Sequence, residues 1–441
     1  MKPKTSRAHA ALAFASVMLG ALATASHAAA TPDLSGKTDD SIRQVLRLVS
    51  SHQIHPLADG DYAPVSTIDA LQAARAPEGI AWNYPWGVVL YGMIRASDFL
   101  DDKSGLDFVI EHNGIVARYY AWLDEARRKI GDDDRGWKTF LAGKNTTGAK
   151  LKIRGLLALG NLDSCGAMGA QTLEAMLRQP GRADAGQKAV VGRVADWIVS
   201  KQPRLPDGTL WRPEANDTAK KWPAGTLWID DLYMACPFLV RWAARTGDSR
   251  HLDDAARQVI AMAARLQDAD GLWFHAYSEP LKEHSPVKWG RANGWAMVAT
   301  VEILSAMPED HPLRARLLEI LRRHIAGIEK TQAPSGLWRQ VPDDATLWEE
   351  TSCSAMFAYG IARAANRGWI PAQNMAVARK AFAGICAQIT PEGVVKNTCA
   401  GTNIGMDVAF YRNRPHPDDD PHGPGVVLLA GAEILAADSA K

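Results

Sequence analysis

An all-α chain closed as an (α/α)6 barrel is the fold class the sequence predicts, and three observations predict it. Helical periodicity dominates: residues 39–51, 88–99, 106–130, 189–200 and 252–266 carry apolar side chains at three- and four-residue spacing, while strand-like alternation is scarce. Six times a polar or aromatic motif opens a helix of mostly small apolar residues: Trp82-Asn83-Tyr84, Asp163, Asp230, Arg291, Glu350-Thr351-Ser352 and His422-Gly423. These openings recur at roughly 60–80 residues, room for two helices and their connections. Between consecutive openings lies a more charged helix, such as 252–266 or 313–329. A helix that is apolar all round must be buried and a striped one faces water, so the alternation predicts an inner and an outer ring. Six such pairs close into a toroid whose inner-helix starts meet at one end and gather the polar motifs into a pocket. An open helical solenoid is the competing arrangement, and it would spread the same motifs along a concave face.

From the N-terminus, Lys2, Lys4 and Arg7 precede an apolar run over residues 10–25 that ends in Ser26-His27-Ala28, a small-residue cleavage pattern. Residues 1–28 therefore read as a secretory signal peptide, and residues 29–441 as a single catalytic domain, exported to the periplasm and without membrane insertion once the leader is cleaved. No later stretch of about 18 uncharged apolar residues follows. The 50 basic and 49 acidic side chains leave a formal charge of +1 with no basic block, which argues against a nucleic-acid partner. Five cysteines, Cys165, Cys236, Cys353, Cys386 and Cys399, stand at wide spacing without a CxxC pair or neighbouring histidine cluster, so neither a zinc site nor a disulfide framework is expected. A single Cys386–Cys399 bridge stays open in an oxidising compartment. Loops 203–223, 268–290 and 334–348 are rich in Gly, Pro and Trp and long for helix connections, the usual setting of function.

The chemistry-bearing motifs lie in these loops and helix openings. Trp289-Gly290-Arg291-Ala292-Asn293-Gly294-Trp295 places two indoles around one guanidinium. Indole packs on the C–H faces of a sugar and arginine pairs bidentately with a carboxylate; the plainer reading is a Trp-rich helix entry with Arg291 in a buried ion pair. Trp228-Ile229-Asp230-Asp231-Leu232-Tyr233-Met234 puts two carboxylates at a helix opening. Adjacent helical residues point about 100° apart, so one is the chemical group and the other a cap or ion-pair partner. A carboxyl walled by Trp and Tyr keeps a proton more readily, because desolvation disfavours the anion; the plainer reading makes both residues helix caps. Asp163 opens another inner helix and alone reads as an N-cap, and His275 in Trp273-Phe274-His275-Ala276-Tyr277 alone reads as a structural histidine. Trp211-Arg212 and Trp338-Arg339 look like aromatic rims. Together these motifs point to a saccharide cleft.

In their order the motifs resemble the unsaturated uronyl hydrolases of glycoside hydrolase family 105, related to family 88. The resemblance rests on Trp82-Asn83-Tyr84, Leu90-Tyr91-Gly92-Met93, Leu162-Asp163, the Trp228 to Met234 motif, Phe274-His275-Ala276, Trp289 to Trp295, Gly336-Leu337-Trp338, Cys399-Ala400-Gly401-Thr402 and His422-Gly423-Pro424-Gly425. It implies removal of a non-reducing-end Δ4,5-unsaturated uronic acid from lyase products, a galacturonyl unit from a rhamnogalacturonan-derived disaccharide in pectin degradation being the first choice. An unsaturated glucuronyl substrate and a non-catalytic glycan-binding toroid are the alternatives. Asp230 matches the family's acid and Asp163 its second pocket aspartate; Tyr84, Trp211, Arg212, His275, Trp289, Arg291 and Trp295 fall on substrate-binding positions, and no metal or other cofactor is implied. Two departures stand out: the family often has glycine at Asp231 and a Trp-His pair at Trp211-Arg212.

Overall fold

In the computed structural model, residues 33–142, 152–213, 222 and 224–439 are described; the leader assigned to residues 1–28 lies outside them. Among the described residues, twelve helices build the two rings and run, in chain order, α1 (Asp39–Gln53), α2 (Tyr84–Ala96), α3 (Ser104–Ile130), α4 (Gly166–Arg178), α5 (Ala185–Asp196), α6 (Asp230–Thr246), α7 (Arg250–Leu266), α8 (Gly290–Ala306), α9 (Arg314–Glu329), α10 (Thr351–Asn366), α11 (Met375–Cys386) and α12 (Pro424–Ser439); four shorter helices lie in the connections. The even-numbered helices each pack on the next, and α12 returns to α2, so the inner ring is closed. An open solenoid would leave α2 and α12 apart. The odd-numbered helices lie outside: α7 packs on α6, α9 on α8, α11 on α10, and α1 on α12, which joins the two ends of the described chain. The fold is an (α/α)6 barrel.

Composition explains the two rings. Helix α8 is buried at every position from Gly290 to Leu304, whereas α7 buries Leu252, Ala255, Ala256, Gln258, Val259, Met262, Ala263 and Leu266 and leaves the other positions at least partly exposed. Small residues let inner helices touch: a Cβ at Gly166 would lie 1.4 Å from the Met234 carbonyl oxygen, so α4 and α6 can approach this closely only with glycine there. The helix expected over 189–200 begins earlier, at a capping box on Asp184 and Gln187, and its last turn widens to a π turn over Trp197–Lys201.

The C-terminal halves of the inner helices are tied by a buried ionic network to which all six contribute. Glu302 of α8 accepts from Tyr91 of α2, Tyr359 of α10 and, at 2.8 Å, Arg241 of α6; Arg241 also reaches Glu174 of α4 at 2.7 Å, and Arg363 of α10 reaches Glu433 of α12 at 2.6 Å. Burial alone would raise Glu302, yet the Arg241 and Arg363 guanidiniums bring it down to about 2. The opposite, N-terminal ends of these helices carry the sequence motifs.

Two small sheets escape a sequence reading, being too short for alternation to show. Strands β1 (Thr226–Trp228), β2 (Ala276–Ser278) and β3 (Glu283–His284) pair antiparallel, as do β4 (Trp338–Arg339) and β5 (Glu349–Glu350). All five cysteines are free and buried, so the Cys386–Cys399 bridge left open by the sequence is not made: each thiol sits in its own packed site. No helix among the described residues is long and apolar enough to cross a membrane.

Candidate active site

Strand pairing builds the centre of the site. Trp228 of β1 pairs with Ala276 of β2, and the Ile229 N–H donates to the His275 carbonyl at 3.2 Å. The residues just beyond these pairs, Asp230 and His275, are thereby brought side by side: Asp230 Oδ2 lies 3.2 Å from His275 Nε2. Both atoms are buried and neither makes a well-directed hydrogen bond, and Arg291 Nε is likewise unpartnered. Unpaired buried polar atoms are uncommon in a folded protein, and here two of them face each other. The other ring nitrogen of His275 is 2.7 Å from the Tyr411 hydroxyl, which fixes the ring's orientation. Trp289 packs 4.8 Å from that ring on one side and Trp228 5.8 Å from it, edge-on, on another.

The neighbouring carboxylate has a different task. Asp231 is fully buried and takes Arg212 Nε and Nη2 at 3.0 and 2.7 Å, while the same guanidinium reaches Asp163 at 3.0 and 3.2 Å and stacks 4.4 Å over Trp228. The two departures from the family pattern thus meet in one ion pair. Neither aspartate of the opening caps α6, whose first turn has no side-chain cap, and Asp163 is free of capping because Asn161 accepts from Ser164 N instead. At Asp231 burial outweighs the Arg212 attraction, and with Asp163 and Asp230 nearby its carboxyl is pushed up to about 6. At Arg212 the balance is reversed: burial is outweighed by two carboxylates, and the guanidinium is held well above its ordinary value.

Arg291 opens α8, and within the chain its guanidinium is held by backbone carbonyls and a hydroxyl. Its side chain is buried, stacks 4.7 Å over Trp289, and donates to the carbonyls of Cys399 and Ala400 and to Ser352 Oγ. Glu350 holds the same loop from below, accepting from Cys399 N at 2.8 Å and from Cys353 N at 2.6 Å. Trp295 is buried between Tyr233, 4.5 Å away, and Tyr84, 6.3 Å away edge-on. The Tyr84 hydroxyl is 2.7 Å from His422 Nε2, and His422 Nδ1 is 2.5 Å from Asp420. Trp211 packs over Gly225 and, with Gln202, Arg212 and Asp231, lines a small cavity behind the ion pair.

Sequence reasoning named Asp230, His275, Tyr84, Asp163 and the Trp289–Trp295 motif as one group, and they share one end of the barrel. It missed Asp420 and Tyr411. Asp420 carried a signal, its place two residues before the His422-Gly423 opening; Tyr411, in an irregular loop, carried none. Among the described residues no cluster of His, Cys, Asp or Glu is arranged to hold a metal ion.

Set beside known proteins, residues 65–437 match the family described as Glycosyl Hydrolase Family 88. The chain is 35% identical over 231 residues to Protein Atu3128 of Agrobacterium fabrum, spanning 46% of this chain and 98% of that one. It is 25% identical over 373 residues to the unsaturated rhamnogalacturonyl hydrolase YesR of Bacillus subtilis, covering 84% of this chain and 94% of the relative. Among solved structures, a possible member of the GH105 family from Salmonella enterica superposes with a TM-score of 0.66 at 23% identity, over 90% of this chain and 94% of that one.

Proposed function

Because the chain belongs to Glycosyl Hydrolase Family 88, we propose that it removes a Δ4,5-unsaturated uronic acid from the non-reducing end of oligosaccharides produced by a polysaccharide lyase. The first candidate substrate is a rhamnogalacturonan-derived disaccharide, the class named for the YesR relative. The leader at residues 1–28 supports export, and a periplasmic site of action.

The observation that carries this reading is Asp230 Oδ2, buried 3.2 Å from His275 Nε2 without a well-directed hydrogen bond, with Trp228 and Trp289 packed against the His275 ring. The scissile sugar is an enol ether. Asp230 donates a proton to C4, an oxocarbenium-like cation develops at C5, water adds there, and the resulting hemiketal collapses with loss of the aglycone. The spacing rule for the two carboxylates of ordinary glycosidases does not apply, because the anomeric carbon is not attacked. Asp231 is a poor donor on geometry alone: it is fully buried and both its oxygens face Arg212. His275, oriented by Tyr411, positions the Asp230 carboxyl, and Asp163, tied on one side to Arg212 and partly exposed, is available to ring hydroxyls or to the developing cation. Arg291 shapes the cleft by holding the Cys399–Ala400 backbone.

A panel of lyase-generated disaccharides tests the reading through the ultraviolet absorbance of the conjugated uronate. A hydrolase removes the absorbance, a lyase creates it and a glycan-binding toroid leaves it unchanged. Galacturonyl and glucuronyl units become the same sugar once C4 is unsaturated, so relative kcat/KM values across linkages and aglycones assign the parent polysaccharide.

A further inference from the structure

We propose that Tyr84, His422 and Asp420 form a proton relay that accepts the proton of the water added at C5, leaving Asp230 to act as donor alone. This rests on the hydrolase reading above. The three residues come from opposite ends of the described chain, Tyr84 from the first residue of α2 and the other two from the turn before α12, and they meet because the inner ring closes there.

Hydrogen-bond logic fixes the direction of the chain. The Asp420 carboxyl accepts from the His422 backbone N–H at 3.1 Å and faces Nδ1 at 2.5 Å, so Nδ1 carries the ring proton. Nε2 is then a lone pair, and the Tyr84 hydroxyl, 2.7 Å away, must donate to it. The phenol oxygen is left with its own lone pairs, and they can only accept. Gly401 bounds the space beside it: a Cβ there would lie 4.0 Å from the hydroxyl and 3.9 Å from His422 Cε1, so no side chain fills that space from this loop.

The electrostatic surroundings agree. Burial keeps His422 below its usual value, helped by Arg291 and opposed by Asp420 and Glu350, so the ring rests neutral, with Asp420 there to stabilise the imidazolium when a proton arrives. Burial raises the Tyr84 phenol, with Arg291 opposing and Asp163, Asp230 and Asp420 reinforcing, so it holds its proton until it can hand it on. Tyr84 opens α2 at the end of the barrel where Asp230 opens α6, and it packs edge-on to Trp295 of the same end, 6.3 Å away. The step balances: the water oxygen bonds to C5, its proton moves to the Tyr84 oxygen, the Tyr84 proton moves to His422 Nε2, and an imidazolium–carboxylate pair remains until solvent removes the proton. Tyr84 is the catalytic residue of this step; His422 and Asp420 act through it.

The test compares Tyr84→Phe, His422→Gln and the double variant, each checked for folding by circular dichroism, by loss of the unsaturated chromophore across pH. Glutamine can still accept a hydrogen bond but cannot take the proton, so it separates positioning from transfer. Each single variant is expected to lose about 10²–10⁴-fold in kcat with KM within a few-fold, and to lose the acidic limb that wild type shows as His422 protonates. The double variant should lose no more than either single one, because the residues act as a unit. Folded His422→Gln with near-wild-type kcat and an unchanged pH profile overturns the relay. Nitrogen NMR of His422 reads the tautomer without any substrate: Nδ1–H supports the relay and Nε2–H overturns it. Wild type that leaves every unsaturated disaccharide untouched overturns the hydrolase reading and the water step with it, whatever the tautomer.

Discussion

Replacing Arg212 by methionine should expose how strongly the site depends on one guanidinium. Arg212 bridges Asp231, whose side chain is 0% exposed, and Asp163, whose side chain is 32% exposed, and is itself 17% exposed. Methionine keeps most of the volume and the contact with Trp228 but leaves Asp231 buried without a cation. Breaking a buried pair from one side costs about 3–5 kcal/mol, whereas the partly exposed Asp163 arm should account for no more than about 1 kcal/mol. The sign of the pH dependence follows from Asp231. Its folded value, about 6, lies above its ordinary 3.8, so the stability it contributes is fully present below about 4 and is lost as pH rises through about 6. Without Arg212 the carboxyl rises further, and the window of loss moves toward and above neutrality. Urea unfolding followed by circular dichroism at several pH values should therefore show Arg212→Met falling in stability between pH 6 and 8 while wild type stays level. Adding Asp231→Asn should restore most of the loss and flatten the profile. A loss under about 1 kcal/mol with no pH dependence would refute the reasoning and make the pair a surface-like contact.

Asp231→Gly alone should fold and keep activity, with a smaller stability loss than Arg212→Met, because Arg212 retains Asp163, Trp228 and some solvent; unfolding curves and chromophore assays check both halves. Arg291→Lys should lower kcat/KM at least about tenfold and destabilise the protein by a few kcal/mol, since an ammonium cannot stack on Trp289 and fork to two carbonyls as the guanidinium does; unchanged KM, kcat and urea midpoint would contradict this. Glu302→Ala leaves Arg241 and Arg363 short of a buried counter-charge and should cost about 3–5 kcal/mol, while kcat of the folded fraction, measured below the unfolding transition, stays near wild type because the network lies away from the motif-bearing end.

The barrel was legible in the sequence because an inner and an outer ring impose opposite compositions, and six openings at near-equal spacing fix the number of pairs. The Asp230 and His275 motifs were legible as candidates. Their contact was not, because it is made by a β1–β2 pairing of three residues each, too short to leave a pattern. Asp163 looked like a cap until the structure gave that task to Asn161. Arg212 and Asp231 each departed from the family pattern, but only three-dimensional contact reveals them as partners in one ion pair. The hold of Arg291 on the Cys399–Ala400 backbone was not legible, because it depends on a partner 108 residues away that local sequence cannot name.

The most direct test of the account compares Asp230→Asn with Asp231→Asn on the unsaturated disaccharide that wild type cleaves best, reading loss of the chromophore with circular dichroism as a folding control. Asp230→Asn keeps the shape and hydrogen bonding of the residue but cannot protonate C4, so kcat should fall by at least about 10²–10⁴-fold while binding survives. Asp231→Asn should keep substantial activity. Folded Asp230→Asn near wild type beside inactive, folded Asp231→Asn would contradict the account and make Asp231 the acid.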